Sequence, residues 1–212
     1  MTTRGIIYIA LGSKAELAAK ASIESLRIHW RGEIDIISDV DIAIAGTRTR
    51  HVNIPASYSV PDNVRASRYC KVRLDLLTRW EQTLYIDADT LVRGPIDAGF
   101  AILADGYDLA LTHSGNQGED ALWHVDTDEA WYTQCQLFHT PLQLQAGMMF
   151  FSRTPEVENL FFEWRKQWEI WHGQDQAALL RALYAAPVKT WIFGRPWNGG
   201  ALIEHRFGRA RA

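Results

Sequence analysis

Short apolar runs with no polar interruption, separated by helix-like stretches, constrain this chain more than any other feature. Ile6-Ile7-Tyr8-Ile9-Ala10-Leu11, Leu84-Tyr85-Ile86, Leu109-Ala110-Leu111 and Met148-Met149-Phe150-Phe151 are apolar at every position, not at alternate ones. A strand covered on one face alternates; a strand covered on both faces reads continuously. Ile34-Asp35-Ile36-Ile37 reads as a second strand, His51–Ile54 as a third, and Trp191–Phe193 as a late one. Between the runs the period changes. Ala18, Ala21, Ser22 and Ser25 recur at helical spacing after Ser13-Lys14-Ala15-Glu16, which matches a capping box. Tyr69, Val72, Leu76 and Trp80 predict a helix over about 64–80. Leu160, Phe161, Trp164, Trp168 and Trp171 predict one over about 156–172, and a further helix opens at Asp175. Strands and helices in alternation fit α/β layers: a mostly parallel central sheet flanked by helices.

The 212 residues, 47% of them hydrophobic, suit one domain with one sizeable core, spanning 1–212. Lys and Arg number 22 against 25 Asp and Glu, a formal charge of −3. That balance supplies no electrostatic grip on nucleic acid or anionic lipid, so an anionic ligand has to be held locally, by a metal or a few placed cations. No apolar run reaches the roughly 18 residues of a membrane helix. Ile6–Leu11 is short for a secretory h-region, and the expectation is a cytoplasmic protein. Two cysteines, Cys70 and Cys135, are too few for a disulfide framework or a zinc site; Cys70, in a helix-like stretch, reads as a buried thiol.

The chemistry concentrates where a strand ends. Asp87 and Asp89 stand directly after Leu84-Tyr85-Ile86. Open α/β sheets bind ligands outside the carboxyl ends of their strands. Along a regular strand these two positions share a face but stand about 6.6 Å apart, so a turn at Ala88 has to bring both carboxylates to one ion. Hard divalent cations take oxygen ligands and carry substrate phosphates with them. Taken alone, D-x-D is as readily a solvated strand end.

The surrounding blocks raise its weight. Lys71-Val72-Arg73-Leu74, then Leu84-Tyr85-Ile86-Asp87-Ala88-Asp89-Thr90-Leu91-Val92, resembles the central block of glycosyltransferase family 8. Gln145-Ala146-Gly147-Met148 resembles its Asn-Ser-Gly strand, Asp175-Gln176 its Asp-Gln block, and His205-Arg206-Phe207-Gly208-Arg209-Ala210-Arg211 its final His-x-x-Gly-x-x-Lys signature. The resemblance, running from about residue 65 to the end, implies a GT-A, Rossmann-like fold. It also implies a retaining transferase that moves a hexose from a UDP-sugar with Mn²⁺ or Mg²⁺. By the same resemblance Asp87, Asp89 and His205 hold the metal, Asp87 also touching the donor ribose. Lys71, Gly147, Gly208 and Arg211 lie on the donor, the last pairing with its diphosphate; Arg68, one turn before Lys71 on the same helix face, is placed to reach the donor too. Asp175 binds sugar hydroxyls and Gln176 sits beneath the anomeric carbon. The acceptor, a glycan, lipid-linked or protein group, stays open; the aperiodic segment 114–145 is the candidate acceptor-side insertion.

Plainer readings stand beside these. Lys71 and Asp75 are four apart and suit a surface ion pair. Trp164, Trp168 and Trp171 fit core, whereas Trp123, Trp131, Tyr132 and Trp197 lie in aperiodic stretches and suit stacking on an acceptor sugar. His113, His124 and His139 have no metal spacing. A haloacid-dehalogenase-like phosphatase also carries D-x-D after a strand, but it needs Thr or Val four residues past the first Asp, where Leu91 stands. A non-catalytic protein of the same fold that only holds a sugar nucleotide is the remaining alternative.

Overall fold

A computed structural model describes residues 2–58, 63–114, 122–137 and 142–206. The apolar runs become the inner strands β1 (Arg4–Ala10), β2 (Glu33–Ser38), β4 (Gln82–Ile86), β6 (Leu109–His113) and β7 (Leu144–Ser152), and the edge strand β8 (Thr190–Phe193). With β3 (Thr47–His51) they form a seven-stranded sheet in the order β3-β2-β1-β4-β7-β6-β8. Only β7 runs against its neighbours; the others share one direction. The mostly parallel α/β sheet expected from the sequence is therefore the fold observed.

Alternate residues of each inner strand feed two cores. Ile7, Ile9, Tyr85, Leu111, Met149 and Phe151 face one layer, with Cys70 of α2 (Val64–Lys71), Phe161 and Trp164 of α6 (Pro155–Trp171), and Ala178 of α7 (Asp175–Ala185). Ile6, Tyr8, Leu84, Met148 and Phe150 face the other, with Ile23 of α1 (Ser13–Arg27) and Phe100 of α4 (Asp97–Ala104). Burial on both faces is the physical reason these strands carry no polar alternation.

Several expectations shift. The third strand is Thr47–His51, not 51–54. Its polar sequence reflects an edge position with one neighbour, while Val52 and Ile54 pack onto the core from the following loop. The helix expected over 64–80 breaks after Lys71 and resumes as the short α3 (Leu74–Leu77). Leu76 of the supposed stripe is exposed. Extended backbone at Thr78 turns Trp80 back against Gly5 of β1, where its indole donates to Glu33. The Ser13–Glu16 capping box does not form. Gly12, at φ +81, takes the N-cap position, and its N–H donates to Asp39 at 2.9 Å. By contrast α6 is capped as its sequence suggests: Thr154 accepts from the N–H of Val157, with Pro155 in the first turn.

Two three-residue strands that the sequence did not announce, β5 (Thr90–Val92) and β9 (Ile203–His205), pair antiparallel beside the main sheet. The aperiodic segment contains α5 (Thr127–Leu137), joined to α7 by a buried Arg181–Glu129 ion pair at 3.0 Å. Both cysteines are free thiols, Cys70 buried and Cys135 exposed. Among the described residues no helix is long and apolar enough to cross a membrane.

Candidate active site

The carboxylates come together because β4 stops one residue short of them. Asp87 keeps the ladder through its N–H, donating to the Gly147 carbonyl of β7 at 2.8 Å. The chain then turns over Ala88-Asp89, held by the Thr90 hydroxyl donating to the Asp87 carbonyl at 2.8 Å. That turn brings Asp89 back to the same side. The β5–β9 pairing sets His205 opposite Thr90, and the N–H of Arg206 donates to the Asp89 carbonyl at 2.9 Å. His205 Nε2 thereby lies 3.2 Å from Asp89 Oδ1 and 3.8 Å from Asp87 Oδ2, and one ligand atom from each of the three falls within 4.8 Å of the others.

The orientation of the imidazole follows from its other nitrogen. His205 Nδ1 lies 2.7 Å from Asn198 Oδ1, and Asn198 Nδ2 donates to the Thr112 hydroxyl at 3.2 Å. An amide oxygen accepts only, so Nδ1 carries the hydrogen, and Nε2 is the nitrogen left to face the carboxylates and to ligate an ion there. One imidazole nitrogen and two carboxylates fit a divalent ion such as Mn²⁺, whose neighbouring ligands stand about 3 Å apart when bonds are near 2.1 Å. The cradle is closed from below by a glycine. A Cβ at Gly147 would sit 2.6 Å from His205 Cε1 and 2.7 Å from Asp87 Oδ2.

Charge is arranged around this group. Lys71, only 8% exposed, places Nζ 3.0 Å from Asp87 Oδ1 and 3.2 Å from Asp175 Oδ2, over the Tyr85 ring. It ends α2, so the break in the expected long helix is what turns it inward. Burial alone would lower its pKa; Asp175 and Asp87 outweigh that and hold it above the ordinary lysine value. Burial likewise pushes Asp175 up, and Lys71 and Arg68 outweigh it, so its carboxyl lies below the usual range. The Tyr85 hydroxyl donates to Asp87, and burial together with that carboxylate keeps the phenol well above its ordinary value. The surface pair with Asp75 does not exist: Asp75 binds Arg165 at 2.6 Å. Arg68 lies 3.7 Å from Asp175 and donates to the Gly173 carbonyl and to Gln174 Oε1.

Gln176, in the first turn of α7, is fixed at both ends of its amide. Its oxygen accepts from Gln143 at 2.7 Å and lies 3.1 Å from His124 Nε2, while its Nε2 donates to Gln145. Asp87, Asp89, His205, Gly147, Lys71, Arg68, Asp175 and Gln176 thus form one continuous neighbourhood. Gly208 and Arg211 lie outside the described residues. Trp197, half-buried, stacks on Phe193 at 4.3 Å between centroids, which takes up one face of its indole. Tyr132 packs on Trp171.

Sequence reasoning missed four contributors. Tyr85 was within reach, since strand alternation places it on the face of Asp87. Asn198, His124 and Gln143 carried no local signal.

No protein-family model and no curated protein matches this chain. Solved structures do. A bifunctional glycosyltransferase, WbbM, superposes with a TM-score of 0.62 at 17% identity, covering 93% of this chain and 40% of its own. Mouse xyloside xylosyltransferase 1 gives 0.60 at 11%, covering 92% and 86%. The glycosyltransferase GlyE of Streptococcus pneumoniae TIGR4 gives 0.60 at 12%, covering 93% and 46%. The fold is that of GT-A glycosyltransferases. The chain spans less than half the length of WbbM and of GlyE.

Proposed function

We propose that this protein is a retaining, metal-dependent glycosyltransferase of the family 8 type, which moves a hexose from a UDP-sugar to a glycan, lipid-linked or protein acceptor. The observation that carries this reading is the convergence of Asp87, Asp89 and His205 at the end of β4, with Asp175 and Gln176 brought beside them through Lys71 and Gln145.

Asp87, Asp89 and His205 would hold Mn²⁺ or Mg²⁺, which would supply positive charge to stabilise a departing diphosphate. The chain's own groups do the rest. Lys71 stays protonated between two carboxylates and fixes the spacing between the metal side and Asp175. Asp175, ionised, accepts hydrogen bonds from the donor sugar's hydroxyls. Arg68 steadies that carboxylate; the diphosphate roles of Gly208 and Arg211 rest on the family resemblance alone. Gln176 presents a clamped amide dipole beneath the anomeric carbon, where charge develops as the glycosidic bond stretches. No proton need reach the leaving group, and Tyr85 is a hydrogen-bond donor to Asp87 rather than an acid.

The test is turnover of radiolabelled UDP-glucose, UDP-galactose and UDP-N-acetylglucosamine with and without Mn²⁺. Expected is UDP release with metal only, cut at least 100-fold in Asp89→Asn with melting unchanged. Metal-dependent UDP binding without release would make the protein a sugar-nucleotide binder. Full activity in Asp89→Asn would remove the metal assignment.

A further inference from the structure

The two sides of the site differ in charge. On the donor side stand Asp87, Asp89, Asp175, Lys71 and Arg68. On the other side Gln176 meets only uncharged groups: Gln143, Gln145 and His124, with Gln174 donating to the His124 carbonyl at 3.4 Å. Burial lowers the His124 pKa and keeps its ring neutral. Arg68 reaches this side through its bond to Gln174 and acts on His124, but it is engaged by Asp175; Lys71 is engaged by Asp87 and Asp175. Next to this uncharged group is an open aromatic surface. Trp123 is 66% exposed and packs against the His124 ring at 5.6 Å between centroids, inclined by 63°. It is two contacts from the Gln176 amide.

We propose that Trp123 and the amides beside it are the acceptor subsite, and that the acceptor group bound there is a neutral pyranose. This rests on the reading of the chain as a sugar-nucleotide transferase. An exposed indole alone says little. An indole beside several amides and a neutral imidazole is different, because a pyranose has one face of C–H bonds and a rim of hydroxyls. The C–H face packs on the electron-rich ring, and amides supply both donors and acceptors for the rim. A uronic acid or a phosphate bound at this spot would meet no unengaged cation among the described groups, and its charge would go unpaired. A serine or threonine side chain is too small to cover an indole. Of the other aromatics in the aperiodic stretches, Trp197 and Tyr132 are half-buried against Phe193 and Trp171, and Trp131, as exposed on α5 as Trp123 is, is the control.

Saturation-transfer NMR on the full chain with Mn²⁺ and UDP tests this. The probes are lactose, maltose and cellobiose, with methyl glucuronide and a serine/threonine peptide as the other arms. Expected is transfer to ring C–H protons of at least one neutral disaccharide. Trp123→Ala should weaken it about ten-fold or more, Trp123→Phe should retain most of it, and Trp131→Ala should leave it unchanged. Melting temperature and UDP affinity of each variant show that the fold is intact. If the protein binds UDP but no neutral saccharide, or favours the glucuronide or peptide, the acceptor proposal falls alone. It falls equally if Trp123→Ala binds the disaccharide as wild type does. A protein that binds neither UDP nor saccharide overturns the donor reading together with it.

Discussion

Replacing Gly147 by alanine tests whether Asp87 and His205 share one ion, without touching a ligand atom. The added Cβ would lie 2.6 Å from His205 Cε1, 2.7 Å from Asp87 Oδ2 and 3.1 Å from His205 Nδ1. Ordinary contact begins near 3.4 Å, so imidazole and carboxylate must each withdraw by about 0.7–0.8 Å. Neither moves freely. Asn198 and the β5–β9 pairing hold His205; Lys71 and Tyr85 hold Asp87. Metal–ligand distances tolerate only about 0.2 Å. Mn²⁺ affinity in the presence of UDP should therefore fall by about 10- to 100-fold, roughly 1.4–2.8 kcal/mol. Overpacking should separately cost about 1–3 kcal/mol of stability, a melting shift of about 2–12 °C for a chain of this size. Electron paramagnetic resonance of free Mn²⁺ measures the first quantity, and melting in EDTA the second. If melting falls in EDTA while Mn²⁺ affinity stays within two-fold of wild type, the three groups do not hold an ion together.

Asn198→Ala should weaken Mn²⁺ binding about 10- to 100-fold by freeing the imidazole to rotate, while Asn198→Asp, which keeps an acceptor for Nδ1, should retain most of it; equal losses in the two variants would refute the orienting role. Lys71→Met leaves the buried Asp175 with Arg68 as its remaining cation and should cost about 3–5 kcal/mol by urea denaturation. Its pH dependence has a definite sign. Asp175 has a native pKa below its ordinary value, so its ionised form adds stability above about pH 4, and that contribution drains as pH falls through the native pKa. The gap between wild type and Lys71→Met should narrow as pH falls below about 4, the ordinary carboxyl value; a gap independent of pH would contradict the pairing. Burial pushes the Cys70 thiol up to about 12, so a thiol reagent at neutral pH should label Cys135 at once and Cys70 only on unfolding. Rapid labelling of both in the native protein would show that the α2 layer is not packed as described.

What the sequence by itself determined was whatever depends on near neighbours along the chain. Burial on both faces made the inner stretches of β1, β4, β6 and β7 apolar without alternation. A strand so marked located Asp87, and helical spacing located α6 and the start of α7 with Asp175 and Gln176. The D-x-D turn was likewise a local matter. Tertiary structure decided the rest. β5 and β9 are three residues each and exist only because they pair across more than a hundred residues, and that pairing brings His205 to the carboxylates. β3 was misplaced because an edge strand needs no apolar pattern, and the 64–80 helix was overextended because Trp80 is drawn back under β1. Whether Lys71 would meet Asp75 or Asp87 was undecidable from spacing, since an ion pair goes to whichever carboxylate the fold brings within reach of a buried ammonium. The same holds for Asn198, His124 and Trp123. Periodicity records which face of an element is buried; it carries no record of which distant element lies against that face.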